Sequence, residues 1–213
     1  MHDGLLIGLT GGIGCGKSTV GRMFSQKGRL VLSADDVANH LTARDPQIRA
    51  GLLKIFGRNT FLANGSLNRT KLASEVFRNP TLLSKLNALV HPGVIASLVT
   101  QIDALSLARS FPFVVVEAAL IYEAHLDRMF DYVVVVDAPL EARIARVVAR
   151  DGVSRGEVFR RIRSQMPMAE KKRRADFVIN NGQGESELLE RVSFVDRLLA
   201  STAEEPLKPP KPD

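Results

Sequence analysis

The sequence predicts an α/β protein, a parallel sheet flanked by helices and interrupted by a long helical insertion. Three observations predict it. A short apolar run ends in a glycine cluster and is followed at once by a helical pattern. Two later runs are almost continuously β-branched, as strands are when helices cover both faces. Between the second and third apolar runs lie some seventy residues with helical periodicity and no clear strand.

The first run, Leu5-Leu6-Ile7-Gly8-Leu9, stops at Thr10 and reads as a buried strand entering a tight loop. A helix is expected from Lys17 to about Lys27, with Val20, Met23 and Phe24 on one face. Leu30-Val31-Leu32 is a second short strand ending at Ser33-Ala34-Asp35-Asp36. Strand, helix, strand opens a parallel sheet. The insertion follows, its pattern broken at Asp45-Pro46, Gly57, Asn64-Gly65, Asn79-Pro80 and His91-Pro92. Pro92 disfavours helix at His91, so a turn is expected there. The sheet resumes at 113–116 and 132–136, helices are expected over 140–150, 155–165 and 168–174, and Phe177-Val178-Ile179 is the last strand. A final helix is expected from Ser186 to about Ala200, then a proline-rich, charged and disordered tail. The resulting partition is a core of 1–36, 111–139 and 175–203, an insertion of 37–110, a helical segment of 140–174 and a tail of 204–213.

Composition excludes several classes. The chain has 213 residues, enough for one core with insertions. No apolar run reaches the roughly 20 residues of a bilayer span, and no basic region precedes a long apolar stretch at the N-terminus, so a cytoplasmic protein with no membrane partner is expected. Its one cysteine, Cys15, forbids an intrachain disulfide and fits a reducing compartment. The net charge of +6 suits either nucleic acid or a polyanionic small molecule. Trp is absent and aromatic residues are few, leaving little to stack bases on, so no nucleic-acid partner is expected. The basic excess concentrates between Arg143 and Arg174.

Gly11-Gly12-Ile13-Gly14-Cys15-Gly16-Lys17-Ser18 satisfies G-x-x-x-x-G-K-[ST] in the required setting, after a strand and before a helix. Together with the sheet pattern it defines a P-loop NTPase. The glycines let successive backbone N–H groups of the loop turn inward as an anion nest, and the helix beginning near Lys17 points its positive end at the same place. Lys17 is expected on the β- and γ-phosphates, Ser18 on Mg²⁺, and Thr19 near the α-phosphate of ATP. Cys15 reads as a small filler; a thiol at a helix N-terminus also admits a redox switch. Phosphoryl transfer to a hydroxyl needs a group that orients the acceptor and takes its proton. Asp35 lies at the end of the second strand, where such groups sit in open parallel sheets. Asp36 competes with it, and a helix N-cap is an equally good reading. Glu117 ends the strand 113–116, where an acid holds the Mg²⁺ shell through water; Glu123 is the weaker candidate.

Several segments resemble bacterial dephospho-coenzyme A kinases along nearly the whole chain. Residues 7–14 running into Gly16-Lys17-Ser18-Thr19 are similar to the family's phosphate loop, and Ala34-Asp35 to its D-A-D element. Residues 64–69 resemble its D-G-x-L-x-R segment, Leu86-Asn87-Ala88-Leu89-Val90-His91-Pro92 its L-N-x-x-x-H-P signature, and Leu120-Ile121-Tyr122-Glu123 its L-L-F-E. Arg146, Arg150-Asp151-Gly152, Arg161-Ile162 and Gln165 resemble its lid, and residues 175–181 its A-D-F-V-I-D-N ending. Ser33, Ala119 and Asn180 depart from those patterns, and none removes a group the chemistry requires.

The resemblance implies phosphorylation of the 3′-hydroxyl of dephospho-coenzyme A by ATP, the last step of coenzyme A synthesis, by a monomer or weak homo-oligomer. It favours Asp35 over Asp36 at that hydroxyl, makes the insertion the coenzyme A-binding part, makes 140–174 a lid, and puts the Asn181 loop near the adenine; His91 reads either as fixing the turn before Pro92 or as a contact on the coenzyme A side. Arg143, Arg146 and Arg150 have the spacing of one helix face. Arg146 is expected to be the inner one, with Arg150 next, while Lys171, Lys172, Arg173 and Arg174 read as a solvated face. Another small-metabolite or nucleoside monophosphate kinase is the enzyme alternative, and a nucleotide-dependent switch the non-enzyme one; the guanine-reading N-K-x-D motif is absent.

Overall fold

The computed structural model describes residues 4–76, 79–108 and 111–204. The expected tail disorder concerns residues 205–213, outside the described residues; Glu204 is the last residue of the final helix. The chain divides into two compact units, one of Met1–Ser33 with Leu105–Asp213 and one of Ala34–Ala104.

The first unit is built on five parallel strands: β1 (Leu5–Gly11), β2 (Leu30–Ser33), β3 (Phe113–Glu117), β4 (Tyr132–Asp137) and β5 (Phe177–Asn180). Their order is β2-β3-β1-β4-β5. β1 is therefore central, and the chain leaves its carboxyl end between those of β3 and β4. Register fixes what surrounds that exit: Leu9 pairs with Glu117, Gly11 with Val136, Ser33 with Glu117 and Asp137 with Asn180. Every element the pattern predicted as a strand is one. The valines at 114–116 and 133–136 are almost wholly buried, because helices cover both faces.

Helices α1 (Lys17–Gln26) and α9 (Glu185–Glu204) share a core with one face of the sheet. There Val20, Met23 and Phe24 meet Leu188, Val192, Val195 and Leu199 over Ile7, Leu9, Val115 and Val134. Arg29 locks this layer, pairing with Asp196 at 2.7 Å while its guanidinium lies 4.7 Å from the centre of the Phe113 ring. Helices α6 (Leu140–Asp151), α7 (Arg155–Arg163) and α8 (Met168–Arg174) connect β4 to β5. α6 stops because Gly152 takes the left-handed conformation (φ 65°), which lets its N–H reach the Val148 carbonyl. Asp151 then binds both Arg150 and Arg161, tying α6 to α7. Ile144, Val147 and Val158 form the small core beneath.

In the loop after β3, Tyr122 is 1 % exposed and its hydroxyl has no hydrogen-bond partner among the described residues. Burial pushes this phenol up to about 12, against the Arg174 guanidinium stacked on its ring. The resembled family has Phe at this place. Tyr122→Phe removes an unsatisfied buried hydroxyl and is expected to stabilise the protein by about 1 kcal/mol. The expected readout is a higher urea midpoint with unchanged m-value, and a lower midpoint would show that the hydroxyl is satisfied.

The second unit is helical: α2 (Ala34–Arg44), α3 (Pro46–Phe56), α4 (Arg69–Val76) and the first part of α5 (Pro80–Ala108), with a 3₁₀ turn at Arg58–Thr60. Asp45 caps α3, accepting from the N–H groups of Gln47 and Ile48. A single antiparallel bridge, Phe61 to Leu67, closes the Asn64-Gly65 turn, where no extended pairing was expected. The side of α5 bearing Leu89 and Gly93 faces Gly51 on α3 and Leu41 and Ile48.

Two expectations fail in α5. The helix runs unbroken through Pro92, so His91-Pro92 is not a turn. Proline removes one hydrogen bond and costs about 3 kcal/mol inside a helix. Burial of Val90, Val94, Leu98 and Ile102, a stripe at spacing four that straddles the proline, offsets that cost. His91 is half-buried on this helix, and burial pulls its imidazole below the ordinary value. Because the helix continues, Thr81–Leu105 is also long and apolar enough, by length and composition, to cross a membrane, contrary to the expectation that no segment is.

Candidate active site

The loop between β1 and α1 folds around its glycines. Gly16, which caps α1, has φ 94°, and a Cβ there would collide with the Asn181 side chain. Only glycine serves at this position, because the backbone must be left-handed and Asn181 must approach it closely. Lys17 opens α1, its ammonium 3.5 Å from the Gly11 carbonyl. Ser18 is exposed, and its hydroxyl donates to Glu117 Oε1 at 2.8 Å. Thr19 lies in the first turn, its N–H on the Gly16 carbonyl. Sheet order explains the Ser18–Glu117 contact, since β1 and β3 are neighbours that end together.

Ser18 and Glu117 were both read as the metal site, and the structure brings them together. A hydroxyl and one carboxylate are hard oxygen donors of the kind Mg²⁺ takes when phosphates and waters complete its shell. Among the described residues no three His, Cys, Asp or Glu side chains are grouped so as to hold a metal ion.

Cys15 is completely buried. Burial pushes its thiol up, outweighing the opposing effect of the Lys17 charge. The redox-switch reading fails on this geometry and the filler reading stands. Ellman's reagent is expected to leave Cys15 unmodified in native protein and to titrate one thiol after unfolding. Rapid modification of the native chain would contradict this.

The basic stretch is arranged differently from the expectation. Arg143, and not Arg146, is the inner arginine: it is 5 % exposed and its Nε donates to the Ile13 carbonyl at 3.0 Å. Burial pulls this guanidinium below its ordinary value. Arg146 Nη2 donates to the Asn181 carbonyl at 3.2 Å, and its Nη1 lies 3.4 Å from the Gly14 carbonyl. Arg150 is engaged by Asp151 at 2.6 Å, with its side chain 66 % exposed. The hydrogen bond it donates to the Asp151 carboxylate holds the Arg150 guanidinium above its ordinary value.

Lys171 is a second correction. Of the four basic residues read as a solvated face, it is completely buried, salt-bridged to Glu123 at 2.9 Å and donating to the Ala119 carbonyl at 3.1 Å. Burial lowers its pKa, and the Glu123 carboxylate opposes that shift. Met168 and Lys171 are three apart on α8 and face inward together, a spacing legible in the sequence but hidden within the charge run.

Asn181 Nδ2 donates to the Cys15 carbonyl at 2.9 Å, joining the last strand's loop to the phosphate loop. Asn181 also lines a cavity of about 390 Å³ with Asp137, Pro139, Asn180, Gly182 and Gln183. Lys17, Ser18, Glu117, Arg143, Arg146 and Asn181 thus converge on one loop. Asp35 and His91 belong to the other unit. Asp35 sits in the first turn of α2, two residues along the chain from the end of β2, so it is not the N-cap. Acids in a first turn favour the helix dipole, and Asp35 and Asp36 both lie there.

The family model for dephospho-CoA kinase matches residues 5–187 of the chain. The dephospho-CoA kinase of Deinococcus radiodurans is 40% identical over 184 residues, covering 86% of each chain. That of Latilactobacillus sakei is 38% identical over 175 residues, covering 82% of this chain and 86% of its own. Among solved structures, the protein TT1252 from Thermus thermophilus superposes with a TM-score of 0.78 at 37% identity, over 94% of this chain and 98% of its own. A parallel sheet whose phosphate loop is met by Arg143, Arg146 and Asn181, together with a family model that matches residues 5–187, places the chain in the dephospho-CoA kinase family.

Proposed function

We propose that this chain transfers the γ-phosphoryl group of ATP to the 3′-hydroxyl of the dephospho-coenzyme A ribose, giving coenzyme A and ADP. The observation that carries the reading is the phosphate loop with Ser18 on Glu117 in a chain of this family. Phosphoryl transfer is positioning and charge stabilisation, and the residues divide along those lines. The loop's N–H groups and the α1 N-terminus bind the triphosphate. Lys17 holds the β- and γ-phosphates, and Thr19 is near the α-phosphate. Ser18 and Glu117 would hold Mg²⁺, which neutralises charge between those phosphates. Arg146 stabilises the charge that spreads over the transferring group, with Arg150 joining from the end of α6. Asp35 orients the acceptor hydroxyl and takes its proton.

The cavity beside Asn181 suits an adenine ring, with amide groups of Asn180, Asn181 and Gln183 for its edge and Pro139 for its face. The helical unit of Ala34–Ala104, which carries Asp35 and His91, binds the coenzyme A side, and 140–174 serves as the lid over the nucleotide core. The enzyme works in the cytoplasm as a monomer or weak homo-oligomer. A coupled ADP-release assay over dephospho-coenzyme A and a panel of nucleoside monophosphates, shikimate and gluconate tests the acceptor. ADP release above background only with dephospho-coenzyme A is expected; turnover of another acceptor alone would replace this reading.

A further inference from the structure

The phosphate loop is soft by composition, with glycine at 11, 12, 14 and 16. Three of these adopt positive φ, so the loop alone has many conformations to lose when it binds an anion. Three polar atoms of its leading half are nonetheless held by the β4–β5 connection. Arg143 Nε donates to the Ile13 carbonyl at 3.0 Å, the Ile13 N–H donates to Gln165 Oε1 at 2.9 Å, and the Gly12 N–H points at Met168 Sδ at 3.2 Å.

Gln165 is itself in a connection, between the end of α7 at Arg163 and the start of α8 at Met168. Its own N–H reaches back to the Ile162 carbonyl near the end of α7, at 3.2 Å. The other side is held through its neighbour: the Met166 N–H donates to Glu123 Oε1 at 2.8 Å. Glu123 is in turn clamped by the buried Lys171 ammonium, which also binds the Ala119 carbonyl. The segment is thus tied on one side to the loop after β3 and on the other, through Gln165, to the phosphate loop.

We propose that Gln165 is a positioning residue for nucleotide binding. Its carbonyl fixes the Ile13 peptide so that the N–H groups of residues 14–18 stay turned toward the phosphates, and the Glu123–Lys171 pair holds Gln165 in place. The proposal rests on the assignment of this loop to ATP under the proposed function. It assigns Lys171 and Glu123 a task that a merely stabilising buried pair would not have.

The test separates positioning from folding. Gln165→Met keeps the length of the side chain and removes the acceptor. Loss of one preorganising hydrogen bond corresponds to about a three- to tenfold change in affinity. Calorimetric titration with ATP is therefore expected to give a Kd weakened about three- to tenfold, with kcat and the KM for the acceptor changed less than about twofold. The double variant Glu123→Leu/Lys171→Met exchanges the ion pair for apolar side chains, which buried sites often tolerate. It is expected to weaken ATP similarly, and adding Gln165→Met to it is expected to change the Kd no further, because all three act through one contact. Full additivity, an unchanged Kd in Gln165→Met, or a fall in kcat with Kd intact would each overturn the proposal. A tightened Kd would also overturn it, because Gln165 would then compete with phosphate for the Ile13 N–H. Binding is read directly, so a chain that binds ATP and yet leaves dephospho-coenzyme A unphosphorylated contradicts the proposed acceptor and leaves the Gln165 result standing; a wild-type chain that binds no ATP overturns both.

Discussion

Lys17→Ala is expected to lower kcat/KM by about 10²- to 10³-fold and to weaken ATP binding as well. Lys17 opens α1 directly after the left-handed Gly16; under the proposed function its ammonium holds the β- and γ-phosphates. The ammonium lies 3.5 Å from the Gly11 carbonyl, at the outer limit of a hydrogen bond. Arg143 is committed to the Ile13 carbonyl, Arg146 reaches the Asn181 and Gly14 carbonyls, and Lys171 is committed to Glu123. None of the three can replace an ammonium at the γ-phosphate without giving up a bond it makes in this arrangement. Because both binding and the transition state lose charge compensation, kcat and the KM for ATP should move together. An unchanged rate under saturating ATP would refute the role given to Lys17.

Asp35→Asn is the contrasting case. A carboxylate that accepts the hydroxyl proton contributes about 10²- to 10⁴-fold to the rate and nothing to nucleotide affinity. The amide keeps the size and one oxygen, so folding should be intact. We expect kcat to fall by at least about 10²-fold, with the Kd for ATP nearly unchanged. Asp36→Asn, one residue on in the same first turn of α2, is the internal control and should retain most activity. The reverse result would shift the assignment by one residue.

The parts of this protein legible in its sequence share a physical property: their signal is local. The β-branched valines of β3 and β4 announce strands covered on both faces, and the spacing of Gly11, Gly16 and Lys17 announces a phosphate loop, because each is decided by neighbours in the chain. Ser18 was read as a metal ligand from the phosphate-loop motif and Glu117 from its strand-end position, and sheet order brings the two, 99 residues apart, to 2.8 Å.

What escaped was decided by partners distant in sequence. Lys171 read as part of a solvated charge run because Glu123, 48 residues earlier, is visible as its partner only once β4 and α8 have folded. Arg143 and Arg146 share a helix face, and nothing local says that the Ile13 carbonyl will take the first and bury it. At Pro92 a local rule gave the wrong answer. Proline's cost is real, and a buried stripe running from Val90 to Ile102 exceeds it.

The central claim is the destination of the γ-phosphoryl group, and its most direct measurement is the product. Incubating the purified chain with Mg²⁺, dephospho-coenzyme A and ATP labelled in the γ-phosphate should move the label into a compound of the mass of coenzyme A, with the phosphorus resonance of a monoester on the ribose 3′-oxygen and one ADP formed per label transferred. Label released as inorganic phosphate, or carried by any other acceptor while dephospho-coenzyme A is recovered unchanged, would contradict the account.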